Sequence, residues 1–342
     1  MINWEFAMRK IVLIRSKNTD ATDFYYNILK AALVRVSEKV EDVYEGDHFC
    51  ARRDDLIVVG GCLSFFRMWL KGYKNIVTWF QGVLPEESYM RNHSLLRKKI
   101  LEIVECLALK KSKIAIFVSE SMKTYYEKCY KIYFSEYYIM PCFNTQFDLQ
   151  EEGDDNRYRY PIFTYVGGLN SWQCVKETLS LYKEIERIFH DKSSLLILTR
   201  QRSEAEKMLK EAGIKNYTIK TVHYTEISKE LRNVSFGFNL RRDNVVNRVA
   251  TPTKLANYVA NGVIPIVSSC VEDFVNKSRN NPYVIVVEDM ENMSAVAESI
   301  QKLVASGISY RDIYRASKEY FNEYYNTEYH IKELADVIAR KI

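Results

Sequence analysis

Residues 240–267 read LRRDNVVNRVATPTKLANYVANGVIPIV, and the punctuation of this stretch marks it as one β-α-β step of an α/β sheet. Pro252 suits the first turn of a helix, where its missing N–H removes no bond. Thr251 stands before it as the expected N-cap. Gly262 and then Pro265 follow in the usual stop order, so the helix is predicted over 252–261. The run 263–267 then reads as a buried strand. The free N–H groups and positive dipole end of such a helix form an anion site. Lys254 adds a point charge in the first turn, and Arg242 adds a planar fork from the preceding loop. Together they suit a diphosphate. The plainer reading is a capped helix carrying surface cations.

Working outward, the same alternation fills the chain. Before this stretch, 11–14, 56–59, 76–79 and 114–118 read as buried strands, with helices predicted at 21–39, 94–111 and 120–131. The segment 148–159, DLQEEGDDNRYR, is acidic and aperiodic and reads as a linker. Beyond it the alternation restarts, with strands at 162–166, 195–199, 217–222, 234–239 and 283–287. Helices are expected at 172–189, 203–212 and 291–305, and the last stretch, about 309–341, reads as helical. Strands alternating with helices imply parallel β-α-β units. The expected organisation is residues 1–150 as one Rossmann-like domain, 160–320 as a second, and 321–342 as a helix that could cross back to the first. A length of 342 residues suits two domains.

Composition narrows the class. Apolar residues make up 47% and charged residues 27%, as in an ordinary globular enzyme. The net charge of +5 is spread among 44 acids, so no nucleic-acid partner is expected. Seven cysteines, an odd number without C-x-x-C spacing, point to a reducing compartment. Glu5, Arg9 and Lys10 interrupt any signal-peptide core. The apolar stretch 56–70 is broken by Gly60-Gly61 and Arg67 and is too short to span a bilayer. A cytoplasmic protein is the expectation.

The 240–267 stretch also resembles the donor-site signature of glycosyltransferase family 4, in bacterial members reading roughly LLRD…vnrvaSPtKf-EYla-GlPvI. Arg242, Asp243, Asn247 to Ala250, Pro252, Lys254, Tyr258, Ala260, Gly262 and Pro265 fall in register. The resemblance implies a GT-B fold, two Rossmann-like domains facing each other across a cleft. It further implies a nucleotide-diphospho-sugar donor, hexosyl transfer with retention of configuration, no metal and no cofactor. Arg242 and Lys254 take the catalytic role of neutralising the departing diphosphate, and Thr253 and Asn257 join the donor site. Asn257 stands where family members often carry a ribose-binding glutamate; it keeps hydrogen bonding without the charge.

Two further segments match. Tyr165-Val166-Gly167-Gly168-Leu169 corresponds to the family's Y-V-G-x-L turn, where glycines let backbone N–H groups approach a phosphate; a tight turn without ligand is the alternative. Residues 79–87, WFQGVLPEE, resemble an aromatic-x-His-Gly-x-x-Pro-Glu-Glu segment on the acceptor side. Gln81, Gly82, Glu86 (or Glu87) and His93 are the acceptor candidates, and Gln81 replaces a histidine. His223, at the end of a predicted strand, is a candidate contact to the nucleobase.

The implied acceptor is a glycan or a lipid-linked sugar, as in surface polysaccharide assembly. The helix 94–111 carries Arg97, Lys98, Lys99, Lys110 and Lys111 among aliphatics, suited either to an anionic membrane surface or to core packing with solvated cations. A sugar-nucleotide 2-epimerase of the same architecture and a catalytically silent relative are the rivals. The first needs paired acids, whose signatures the sequence does not display.

Overall fold

The computed structural model describes residues 10–16 and 20–341. By contacts the chain divides into two compact units. The first unit comprises residues up to Cys142, Arg248–Thr251, and the chain from Asn326 onward. Its elements are β1 (Ile11–Arg15), α1 (Asp20–Val36), β2 (Val40–Tyr44), β3 (Leu56–Gly60), α2 (Cys62–Leu70), β4 (Ile76–Phe80), α3 (Leu84–Asn92), α4 (Leu95–Lys111), β5 (Ile114–Phe117), α5 (Glu120–Tyr130) and β6 (Tyr137–Ile139). The strands form one parallel sheet in the order β2-β1-β3-β4-β5-β6. β1 and β4 are buried along their whole length, which is why they read as unbroken apolar runs: helices cover both faces of a parallel sheet.

The second unit, Phe143–Asn247 and Pro252–Tyr325, repeats the plan. It holds α6 (Asn156–Arg159), β7 (Ile162–Val166), α7 (Val175–Phe189), β8 (Ser194–Leu198), α8 (Arg202–Glu211), β9 (Tyr217–Lys220), α9 (Ile227–Leu231), β10 (Phe236–Asn239), α10 (Val245–Val249, its end in the first unit), α11 (Thr253–Ala260), β11 (Ile264–Ser268), α12 (Glu272–Lys277), β12 (Ile285–Val287), α13 (Met293–Ala305) and α14 (Tyr310–Tyr324). Its parallel sheet runs β12-β11-β10-β7-β8-β9. This is the 3-2-1-4-5-6 order of dinucleotide-binding sheets, with its topological switch between β7 and β10; in the first unit the switch lies between β1 and β3. Phe163, Phe236 and Phe238 stack at the centre of this core.

The stretch read as helical over 309–341 is two helices, α14 and a last one, and one expectation changes. Asn326 accepts the Tyr329 N–H and starts α15 (Thr327–Ala339), which packs on α1 with Glu328 paired to Arg35 at 2.8 Å. The acidic segment expected to be a solvated linker ends as an anchor. Tyr158 is 1% exposed, and Arg157 donates to the carbonyls of Leu231, Val234 and Asn261. Burying that guanidinium lowers its pKa from the ordinary value, but carbonyl acceptors satisfy its N–H groups where no acid does.

Candidate functional site

At the carboxyl end of β7 the chain turns through Gly167, whose φ of 134° is in the region that favours glycine. The Leu169 N–H donates to Gln201 Oε1 at 2.8 Å and fixes the loop. Beside it lies a crevice of about 270 Å³, lined by Gly167, Gly168, Thr199, Gln201, Val222 and Tyr224 among others. It opens outside the carboxyl ends of the strands, at the place where doubly wound sheets bind ligands.

On the other side of the Gly167 turn lie β10, which pairs with β7, and α11. A Cβ added to Gly237 would lie 2.6 Å from the Tyr258 ring, so the glycine lets α11 sit closely on β10. The Tyr258 hydroxyl donates to the Phe238 carbonyl. One turn earlier on the helix, the Lys254 ammonium lies 4.3 Å from the centre of the Tyr165 ring and donates to Gln173 Oε1 at 3.2 Å. Arg241 follows the end of β10, is 8% exposed, and donates to the Trp172 carbonyl. Burial, and then the charge of Arg241, hold the Lys254 ammonium well below the ordinary lysine range. Burial likewise lowers Arg241. Among the described residues neither cation forms an ion pair. Two desolvated cations without a counter-charge raise the free energy of the empty site, and an entering anion relieves it.

The first unit has a crevice of about 430 Å³ at its own switch point, lined by Tyr26, Gly61, Gln81, Gly82, Glu87 and Glu105 among others. Glu105 is fully buried and accepts from the Leu84 N–H and the Tyr126 and Tyr130 hydroxyls. Burial nevertheless outweighs these donors and pushes its pKa up to about 7. Burial also raises Glu87. Gln81 Nε2 is buried without a partner among the described residues.

Neither a protein-family model nor a curated protein matches this sequence. Solved structures do. Sucrose-phosphate synthase from Thermosynechococcus elongatus superposes with a TM-score of 0.70 at 13% identity, covering 97% of this chain and 99% of its own. WaaG, a glycosyltransferase involved in lipopolysaccharide biosynthesis, gives 0.65 at 10% identity, covering 96% and 99%. TarM from S. aureus, crystallised with fondaparinux, α-GlcNAc-glycerol and UDP, gives 0.65 at 12% identity; 83% of this chain is covered, spanning 55% of TarM. The chain has the GT-B fold.

Within this GT-B chain the structure redistributes several expected site residues. Arg242 turns outward; its side chain is 71% exposed and pairs with Glu177 at 2.6 Å. The cation beside Lys254 is its neighbour, Arg241. Strand parity identifies it: Phe236, Phe238 and Leu240 face the core, so Gly237, Asn239 and Arg241 face the other way. Thr251 does not cap α11. Its hydroxyl accepts the Cys142 N–H, and Pro252 occupies the N-cap position, one residue before the helix. Thr253 opens α11, and its carbonyl accepts from Asn257 Nδ2, which also donates to Asn144 Oδ1. Both N–H bonds of Asn257 are therefore committed within its own unit. His223 is exposed, bonded to Thr225 and packed on Tyr224; it is Tyr224 that lines the crevice. In the first unit Gln81 and Gly82 line the crevice, but Glu86 is turned onto Lys98 at 2.7 Å. His93 ends α3 with φ 51° and packs against Tyr89. The carboxylates at the crevice are Glu87, Glu105 and Glu45, the last held by Ser64 and Arg67.

Proposed function

We propose that this chain is a glycosyltransferase that uses a nucleoside-diphospho-sugar and transfers the sugar to a hydroxyl of a glycan or lipid-linked acceptor. The observation that carries this reading is the pair of desolvated cations, Arg241 and Lys254, beside the Gly167-Gly168 turn. They suit the two phosphates, with the crevice at Tyr224 taking the nucleoside. The bond from the anomeric carbon to the phosphate breaks while the acceptor oxygen bonds to that carbon, and the acceptor's hydroxyl proton passes to the departing phosphate oxygen. Arg241 and Lys254 then stabilise charge where it develops on the leaving group. With these cations in place the reaction is proposed to need neither a metal nor a cofactor, and to retain configuration. Gln81, Glu87 and Glu105 are the proposed acceptor-side groups. Incubation with UDP- and GDP-sugars and hydroxyl-bearing acceptors, followed by mass spectrometry, tests the reading; a chain that binds and turns over none of them refutes it.

The paired carboxylates Glu87 and Glu105 favour one second reading, a sugar-nucleotide 2-epimerase. The product decides: a free epimer, rather than a glycosylated acceptor, establishes the alternative.

An anionic membrane surface is proposed for α4. Leu101, Glu105, Ala108 and Leu109 pack inward, yet Leu95, Leu96, Ile100 and Ile103 are 65%, 74%, 54% and 71% exposed. Exposed Lys99, Lys110 and Lys111 flank this apolar face, whereas Lys98 is held by Glu86. Among the described residues no helix is long and apolar enough to cross a membrane. Leu96→Glu with Ile103→Glu should abolish co-sedimentation with phosphatidylglycerol vesicles; undiminished binding would remove the role.

A further inference from the structure

One side chain beside the cation pair has no place in the fold's own bonding. Asn239 ends β10, is 1% exposed, and has neither Nδ2 nor Oδ1 hydrogen-bonded to any described residue. A buried amide without partners is destabilising, and native chains retain few of them. A leucine of similar volume would fill the place without that cost.

Its position gives the reason. Asn239 shares the α11-facing side of β10 with Gly237, against which the Tyr258 ring packs. Asn239 lies two residues further along the strand than Gly237, toward its carboxyl end. Lys254 lies one helical turn before Tyr258, toward the same end. The carboxamide therefore occupies the layer next above the Gly237–Tyr258 contact, the layer of the Lys254 side chain. Two residues later the chain places Arg241, whose N–H is held by Ser268 Oγ at 2.8 Å. In sheet register Asn239 pairs with Val267 on one side, and on the other it continues the Phe236–Phe163 and Gly237–Thr164 pairing toward Val166, the residue before Gly167.

We infer that Asn239 is a positioning residue of the diphosphate site, whose carboxamide takes up its hydrogen bonds only when the anion draws Lys254 off the Tyr165 ring. The inference rests on the donor site proposed above. In the ligand-bound chain Oδ1 accepts from the displaced ammonium, and Nδ2–H faces the phosphate side. In the empty chain both groups wait unpaired, so the ligand-free fold is less stable than its packing allows.

The test uses the full chain, titrated calorimetrically with UDP, GDP and inorganic pyrophosphate. Absence of binding to all three by the wild type overturns the donor site and this inference together. Given binding, Asn239→Leu should weaken it by about 10- to 150-fold, the loss of one hydrogen bond to a charged group, while raising Tm by about 2–4 °C as the unpaired amide is removed. Undiminished affinity overturns the inference alone and leaves the donor site standing. A lowered Tm, whatever the affinity, shows that the amide already has a partner in the empty chain and also overturns it. Should Asn239→Leu fail to fold, Asn239→Asp decides. It keeps the size and an acceptor for Lys254 but sets a negative charge beside the phosphates, so binding should fall by more than tenfold at pH 8; wild-type affinity in that variant refutes the assignment.

Discussion

Replacing Arg241 by leucine, with Arg242→Leu as its control, separates two adjacent residues that the structure gives opposite surroundings. Arg241 is 8% exposed and has a backbone carbonyl as its partner. Arg242 is in water and paired with Glu177. A charge-assisted hydrogen bond to a buried phosphate is worth about 1.5–3 kcal/mol, so Arg241→Leu should weaken binding of UDP or GDP by roughly 10- to 150-fold. The exposed Arg242–Glu177 pair is screened by solvent, and Arg242→Leu should change affinity by no more than about fivefold. Proton uptake supplies a second readout. The Lys254 ammonium lies well below its usual range in the empty site, through burial first and Arg241 second. A bound diphosphate favours the charged form, so wild-type binding should take up protons at a pH above the lowered Lys254 value. Removing Arg241 raises that value in the empty site and should reduce the uptake. Titration calorimetry in two buffers of different ionisation enthalpy measures both quantities. Equal losses from the two arginines, or binding without proton uptake across pH 7–9 in the wild type, would refute this account of the cation pair.

Gly167→Ala meets the Lys254 ammonium at 3.5 Å and must adopt a φ of 134°, so nucleotide binding should fall by about 5- to 150-fold as about 1–3 kcal/mol of strain moves the loop, measured by the same titration. Glu105→Gln should remove a pH dependence: the folded pKa of about 7 exceeds the reference 4.5, so the folded chain binds more protons than the unfolded one between those values. Wild-type stability then falls as pH rises through that window, and thermal melts at pH 5 and 8 should show a smaller difference in the variant. Arg157→Ala takes a donor from the Val234 and Asn261 carbonyls and from that of Leu231, which keeps the Val234 N–H, and should destabilise the second unit by about 3 kcal/mol, seen as a lower midpoint in urea.

The strands were legible where burial is complete. β1, β4, β7 and β11 are continuous apolar runs because both faces are covered, and these positions were read correctly from composition alone. β2 was not read. Its sequence, VEDVY, is half exposed at a sheet edge, and its Asp42 serves Arg15, accepting two bonds from that buried guanidinium at 2.7 Å. No local pattern announces an edge strand whose purpose is to hold a charge supplied by its neighbour. α2, CLSFFRMWL, was missed because a short apolar run has no distinguishing period. α3 was missed because LPEESYMRN buries only Pro85 and Ser88, leaving little hydrophobic signal for a helix held by its contact with α4.

The candidate site was legible as a segment but not as a set of side chains, and the reason is geometric. The motif places two arginines side by side where a strand gives way to a loop, and sequence order alone does not say which continues the strand's alternation. Phe236, Phe238 and Leu240 settle it, since their inward faces send Arg241 toward α11 and release Arg242 to solvent. The same parity brings Asn239 to the site, although no motif includes it. Asn239 and Arg241 are poor choices for a buried position in an empty protein, as is Lys254 for a half-buried one beside another cation: one amide without partners and two cations without an acid. Local rules of burial fail together at this one place, while the surrounding β7, β10 and α11 obey them. Such a concentration is what a functional site looks like in energetic terms. A single anion would correct the charge imbalance, and a diphosphate has the charge and the length to engage both cations at once.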